Sequence, residues 1–377
     1  MQIKRNALLK KVIFSLIATA ILLVAIVAWD ILLGSVARIP NPYHAYDNLQ
    51  CYLSEGHLAY FHHPFFWELI PSNRSVSLKG VVYNTNSLGF RGQEIANPAA
   101  ANTQLVVMMG DSSIFGFNVE ESGNLPQQIE AYLREHSAAG TVEVLNAGVP
   151  GYTSTQGLIQ LRTRILRFKP QLILLSYGWN EKYSKAQSLE ALDGLVTRAF
   201  PLYRTWRWLH DRSWITRQLS SWWLRPAADS ALGNSELLRS AGSVAGREAA
   251  VRAEQLAAYR RNLVQMVSFC RKNGIQVAFA PVTVPPPFLA AMRSVARAVD
   301  APMFETERAL HHAWRRARRY DAGDSGDPRL QYSAIRRDRS LFVDSCHPSI
   351  RGFRIITDEI GPKVAQLLEQ QRHSNAE

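Results

Sequence analysis

Residues 105–119, LVVMMGDSSIFGFNV, decide the fold. Five apolar residues run without interruption to Gly110, and a short polar turn holding Asp111, Ser112 and Ser113 follows. An unbroken apolar run closed by a turn signal reads as a strand buried on both faces, the kind found inside a parallel sheet. Such a strand delivers the next side chain to the top of the sheet, and here that side chain is Ser112. Alone this means little, because serine is a common turn and N-cap residue.

The rest of the chain supplies the context. Apolar runs at 142–145, 172–176 and 277–282 alternate with helical patterns at 125–136, 155–168 and 253–272, and 302–304 is a candidate fifth strand. The alternation predicts an α/β fold, a parallel sheet with helices on both faces whose ligands bind at the C-terminal strand ends. Ser112, Gly148 and Asn180 all fall at that edge, and Asp344-Ser345-Cys346-His347 lies near the C-terminus. An amphipathic pattern at 350–370 closes the domain.

These four blocks resemble the signature of the SGNH (GDSL-like) hydrolase superfamily, which is a Gly-Asp-Ser, a Gly, a Gly-x-Asn and an Asp-x-x-His in this order. Each block is weak alone; together they are specific. The resemblance covers the chain from about Asn84 to the last helix and implies a three-layer flavodoxin-like sheet. It implies a serine esterase or deacylase in which Ser112 attacks an acyl carbon, His347 takes its proton and returns it to the leaving group, and Asp344 orients His347. The oxyanion would be held by the backbone N–H groups of Ser112 and Gly148 and by the side-chain amide of Asn180. A serine hydroxyl needs such an adjacent base and such donors, each donor being worth about 3–4 kcal/mol of transition-state stabilisation. No metal or organic cofactor is required by this chemistry.

Two residues depart from the family pattern. Ser113 stands where Leu is usual, and Glu181 where Asp commonly follows the Asn; both bear on substrate and site shape. Asp111 is read as tying down the turn rather than acting as a base. Arg91, within NTNSLGFRG at 84–92, is read as part of a structural turn, with lining the site as the alternative. Relatives cleave carboxylic esters of sugars and lipids, and some move acetyl groups onto or off cell-surface polysaccharides. The expected substrate is therefore an acylated glycan or lipid, with envelope polysaccharide biosynthesis proteins as candidate partners. Polysaccharide O-acetyltransfer through the same triad stays open, as does a non-catalytic glycan- or membrane-binding envelope scaffold. No G-x-S-x-G elbow, P-loop, G-x-G-x-x-G or H-E-x-x-H accompanies the four blocks.

The N-terminus points to a membrane. Lys4, Arg5, Lys10 and Lys11 precede 18 uncharged residues at 12–29, and with 31–33 the segment approaches the roughly 20 residues that span a bilayer. We read residues 12–34 as a single span, a signal peptide cleaved after Ser35-Val36-Ala37 being the competing reading. Four basic residues before the span and Arg38 after it place the N-terminus in the cytoplasm and the remainder outside the inner membrane, in the periplasm of a Gram-negative cell. The domain plan is then 1–11 cytoplasmic, 12–34 transmembrane, 35–103 irregular lead-in, 104–370 hydrolase domain and 371–377 tail, with an Arg/Trp-rich helical insertion at about 185–250.

The net charge of +12 favours anionic partners by long-range attraction, but no zinc-finger, RNA-binding-sheet or helix-turn-helix signature accompanies it, so nucleic acid is not expected. Residues 198–225 hold six arginines and five tryptophans, a mixture suited to a membrane interface, a sugar groove, a lid, or simply the insertion's own packing. The clusters at 315–319 and 336–339 read as solvated faces. His44, His57, His62 and His63 lack a recurring ligand spacing and are not read as a metal site. Three cysteines without a C-x-x-C pair leave a disulfide between Cys51 and Cys346 open.

Overall fold

The computed structural model describes residues 2–36, 59–63, 66–69, 76–78, 80–95, 103–136, 141–183, 215, 244–317 and 334–376. The chain divides into two compact units, the first made of residues 1–45, 61–67 and 190–233. Its long helix α1 (Gln2–Val36) contains the window Lys10–Asp30, with mean hydropathy 2.8. By length and composition this is the one helix, among the described residues, able to cross a membrane. Its apolar side chains are exposed, Phe14 at 73% and Val24 at 69%. Asp30, buried at the end of that window, accepts a hydrogen bond from the Ile215 backbone at 3.1 Å, which offsets the cost of burying a carboxyl group.

The second unit comprises residues 46–60, 68–189 and 234–377. The hairpin of β1 (Ala59–His63) and β2 (Phe66–Leu69) has residues 61–67 in the first unit, while in the second β3 (Val76–Leu78) pairs antiparallel with β4 (Val81–Tyr83). The main sheet is built from β5 (Thr103–Gly110), β6 (Thr141–Gly148), β7 (Leu172–Ser176) and β8 (Gln276–Phe279), all parallel, in the order β6-β5-β7-β8. Its helices are α2 (Ser112–Phe115), α3 (Leu125–His136), α4 (Ser154–Gln160), α5 (Val244–Lys272), α6 (Pro286–Ala298), α7 (Thr306–Ala317) and α8 (Ile350–Ala376).

Successive side chains of a strand face opposite sides of the sheet. Val106 and Met108 of β5 join Ile129 and Leu133 of α3, Trp314 of α7 and Phe353 and Ile360 of α8 in one core cluster. Val107 and Met109, equally buried, face the other way, where α4 touches β5 and packs on α5, and α5 touches β8 and α6. This is the three-layer, flavodoxin-like α/β arrangement. The register puts Gly110 opposite both Gly148 and Ser176, so three strand ends reach the same edge.

Several boundaries differ from the sequence reading. The run at 277–282 ends as a strand at Phe279; Ala280 N–H still reaches the Leu175 carbonyl at 2.9 Å, but Val282 N–H goes to the Ser176 hydroxyl instead of a backbone carbonyl. Residues 302–304 contribute a single parallel bridge between Phe279 and Met303, flanked by two backbone hydrogen bonds of 2.8 Å. Helix α5 starts at Val244, and α8 continues past residue 370 to Ala376. Helix α6 was not anticipated: its opening Pro286-Pro287 resembles a loop in sequence, yet proline is well placed in a first helical turn. The Arg/Trp-rich stretch at 198–225, apart from Ile215, lies outside the described residues, as do His44, Cys51, His57 and most of the lead-in.

Candidate active site

Strand β5 ends at Gly110, where a Cβ would stand 2.4 Å from Ile114 Cγ1 and 2.5 Å from the Ser176 carbonyl oxygen. Glycine therefore lets α2 fold back against the strand end. Asp111 caps α2, its side chain accepting the Ser113 N–H at 2.9 Å from an extended backbone. Burial pushes its carboxyl up to about 6, against which the Ser113 N–H works. Asp111 thus ties the turn, as its sequence reading held. Ser112 is the first residue of α2, and the helix stops at Gly116 in the left-handed region, its N–H on the Ser112 carbonyl at 3.0 Å.

The Asp344–His347 turn folds onto this helix. Asp344 Oδ1 accepts the backbone N–H groups of Cys346 and His347, both at 2.9 Å. Its Oδ2 lies 2.7 Å from His347 Nδ1, and His347 Nε2 lies 2.7 Å from Ser112 Oγ. Burial alone would raise the Asp344 pKa, but the bond and charge of His347 and the two amides hold it well below the usual carboxylate range. An ionised carboxylate only accepts, so Nδ1 carries a hydrogen, and Nε2 of the neutral ring accepts the Ser112 hydroxyl proton. The Phe117 ring packs 5.2 Å from the imidazole. Cys346 is a free thiol, and Cys51, the partner considered for it above, lies outside the described residues; burial, then the Asp344 charge, raises the Cys346 pKa. Ligand atoms of Asp344, Cys346 and His347 fall within 4.8 Å of one another. A neutral thiol beside a carboxylate and imidazole already bonded to each other suits a proton relay better than a metal.

The predicted oxyanion donors sit at the ends of β6 and β7. Gly148 packs against α2, where a Cβ would lie 2.2 Å from the Phe115 nitrogen, and its N–H donates to Asn146 Oδ1 at 3.0 Å. Asn180 Nδ2 donates one hydrogen to the Tyr152 carbonyl at 3.0 Å, and the amide carries a second. Glu181 accepts the Ser154 N–H at 2.5 Å, so adjacent residues 180 and 181 grip the start of α4. Full burial lifts the Glu181 carboxyl to about 7, opposed by the Ser154 hydrogen bonds. Ser113, the other departure from the family pattern, meets Thr283 with 2.7 Å between hydroxyl oxygens.

Three residues have roles the sequence did not disclose. Arg91 does not line the site: it is 2% exposed and donates to the carbonyls of Phe115, Gly116 and Val119 at 2.5, 2.5 and 2.7 Å. Arg336, expected on a solvated face, is buried, pairs with Glu307 at 3.2 Å and lies over the rings of Trp179 and Phe342. Asn118 donates from Nδ2 to Asp344 Oδ2 at 3.1 Å, across 226 residues of sequence. Only the Asn84–Gly92 turn carried a signal, and it pointed to a turn rather than to the contacts Arg91 makes.

The GDSL-like Lipase/Acylhydrolase family model matches residues 108–355, a span that contains Ser112, Gly148, Asn180, Asp344 and His347. Among solved structures, the chain is similar to the lipase/acylhydrolase from Enterococcus faecalis, at 16% identity over 70% of this chain and 96% of that one, with a TM-score of 0.39. It is similar to TesA at 16% identity, covering 70% of this chain and 99% of that one, TM-score 0.39. LAE5, an alpha/beta hydrolase enzyme from the metagenome of Lake Arreo, Spain, matches at 13% identity over 72% and 99% of the two chains, TM-score 0.41. No curated protein matches the chain.

Proposed function

This chain belongs to the GDSL-like lipase/acylhydrolase family and is an ester-bond hydrolase, and we propose that Ser112, His347 and Asp344 carry its chemistry. The observation that supports this reading is the relay Asp344 Oδ2, His347 imidazole, Ser112 Oγ, with both links at 2.7 Å. Ser112 Oγ attacks the acyl carbon as its proton passes to His347 Nε2, and Asp344 stabilises the imidazolium that forms. The C–O bond to the leaving alcohol breaks as His347 returns the proton to that oxygen. Water then repeats the sequence on the acyl-enzyme, with His347 taking its proton and Ser112 recovering one.

The oxyanion is met by the Ser112 N–H at the start of α2, the second amide hydrogen of Asn180, and the Gly148 N–H. That last donor is shared with Asn146 Oδ1. A charged oxygen is the stronger acceptor and draws the shared hydrogen toward itself. A sugar hydroxyl in place of water would make the same site an O-acetyltransferase.

For the setting we propose a single-pass anchor through residues 12–34, the catalytic unit outside the cytoplasm, and acyl groups, acetyl foremost, on envelope polysaccharide or lipid. The apolar window Lys10–Asp30, the basic residues before it and the net charge of +12 support this setting.

The test is hydrolysis of p-nitrophenyl acetate and longer-chain esters by the detergent-solubilised full chain, beside Ser112→Ala and His347→Ala. We expect turnover in the wild type and a loss of at least about ten-thousand-fold in each variant at unchanged Tm. A folded wild type that hydrolyses none of these esters and takes up no fluorophosphonate on Ser112 overturns the assignment.

A further inference from the structure

We infer that Asn118 is a positioning residue that sets the charge and orientation of Asp344 and, through it, the basicity of His347; this rests on the relay proposed above. Asp344 Oδ2 is the oxygen that faces the imidazole, and it takes two donors, His347 Nδ1 at 2.7 Å and Asn118 Nδ2 at 3.1 Å. The other oxygen is filled by the Cys346 and His347 amides. Asn118 thus completes the set of donors that keep the carboxylate ionised and stop it rotating.

The residue is held for this task. Its φ of 63° lies in the left-handed region, which asparagine tolerates better than most side chains. Its backbone N–H donates to the Tyr83 hydroxyl at 2.8 Å. Tyr83 is fully buried, stacked on Phe115 at 5.3 Å and covered by the Arg91 guanidinium at 4.6 Å. Arg91 in turn binds the carbonyls of residues 115, 116 and 119, on both sides of Asn118. Next to it, Phe117 packs on the His347 ring. One segment leaving the nucleophile helix therefore grips both partners of the nucleophile.

The side chain's chemistry agrees with its placement. Asn118 Oδ1 is buried and has no hydrogen-bond partner among the described residues, a cost that the residue bears while Nδ2 serves Asp344. Aspartate would have the same shape but would set carboxylate against carboxylate. The second donor on Oδ2 draws off part of its charge, so a change at 118 reaches His347 electrostatically. The other ionisable groups around the pair are Cys346 in the same turn, Asp111 at the start of α2, and Arg336, whose charge acts on Cys346. Behind the segment, among the described residues, stand Tyr83, Arg91, Glu120 and Glu121. All are unchanged in the variants below.

The experiment is an NMR titration of the detergent-solubilised full chain carrying 13C-labelled histidine, following the resonance that disappears in His347→Gln. Asn118→Asp should raise the His347 midpoint by about one pH unit, the effect of a like charge beside its partner. Asn118→Gly, which accepts the same backbone angle, should lower kcat about tenfold at nearly constant KM, as expected for losing one hydrogen bond to a charged group. A His347 midpoint in folded Asn118→Asp that stays at the wild-type value overturns the inference, whatever kcat does. The midpoint is read without turnover, so an esterase-silent wild type would sink the relay's assigned chemistry while the titration still decides the role of Asn118.

Discussion

Around Ser112 the chain is placed by the sheet ladder, with Arg91 bracing the carbonyls just beyond it; around His347 it is placed by a short self-bonded turn met by the side chains of Asn118 and Phe117. The nucleophile turn inherits its place from the ladder, with Gly110 registered on Gly148 and Ser176, a cap from Asp111 and a stop at Gly116. The base turn has one bridge, Phe342 with Pro348, and hydrogen bonds of its own from the Val343, Cys346 and His347 N–H groups, and it meets Asn118, Phe117 and Ser112 from outside. Asp344 is also more open, with 36% of its side chain exposed where Asp111 is 1% exposed overall. The difference teaches that a site can take its rigidity from topology on one side and from specific polar chemistry on the other. Damage to the two sides should therefore read out differently.

The hardest test of that contrast is Asp344→Asn. It keeps the shape but favours the wrong imidazole tautomer, and kcat should fall about ten-thousand-fold while Tm barely moves. A large drop in Tm would mean that the base turn is as structural as the nucleophile turn. Arg91→Met should do the reverse. Three carbonyls lose their donor, costing about 3 kcal/mol, or roughly 10 °C of Tm for a domain of this size, with a smaller fall in kcat per folded molecule. Equal stability in Arg91→Met would show that the backbone needs no such brace.

The effect expected at Glu181 is one of pH and leaves the catalytic relay untouched. Its folded pKa of about 7 lies above its ordinary 4.5, so the folded state holds the proton longer. The stabilisation is complete below pH 4.5 and is lost as pH rises through about 7. Over that window the slope is up to about 1.4 kcal/mol per pH unit. Glu181→Gln, which can still accept the Ser154 N–H, should flatten this part of the Tm–pH curve. An unaltered curve would place the titration elsewhere.

The legible parts of the molecule were those written in local pattern. The runs at 105–109 and 172–176 and the helical pattern at 125–136 state their burial in their own residues, and three of the four blocks stand where strands end. What stayed illegible was written between distant positions. Nothing near Asn118 announces Asp344, and nothing in the 336–339 cluster distinguishes Arg336 from its solvated neighbours until Glu307, Trp179 and Phe342 surround it. The proline run that opens α6 carries no helix signal of its own, although the property that breaks helix interiors is harmless in a first turn.

Ser112 and His347 are separated by 235 residues. A polypeptide elongating at about 5–20 residues per second carries its serine for roughly 10–50 seconds before the histidine exists. During that interval the nucleophile is an ordinary alcohol. On the roles proposed for these residues biosynthesis acts as a timer: a chain cut short before Asp344 has the serine and lacks both the base and the group that orients it.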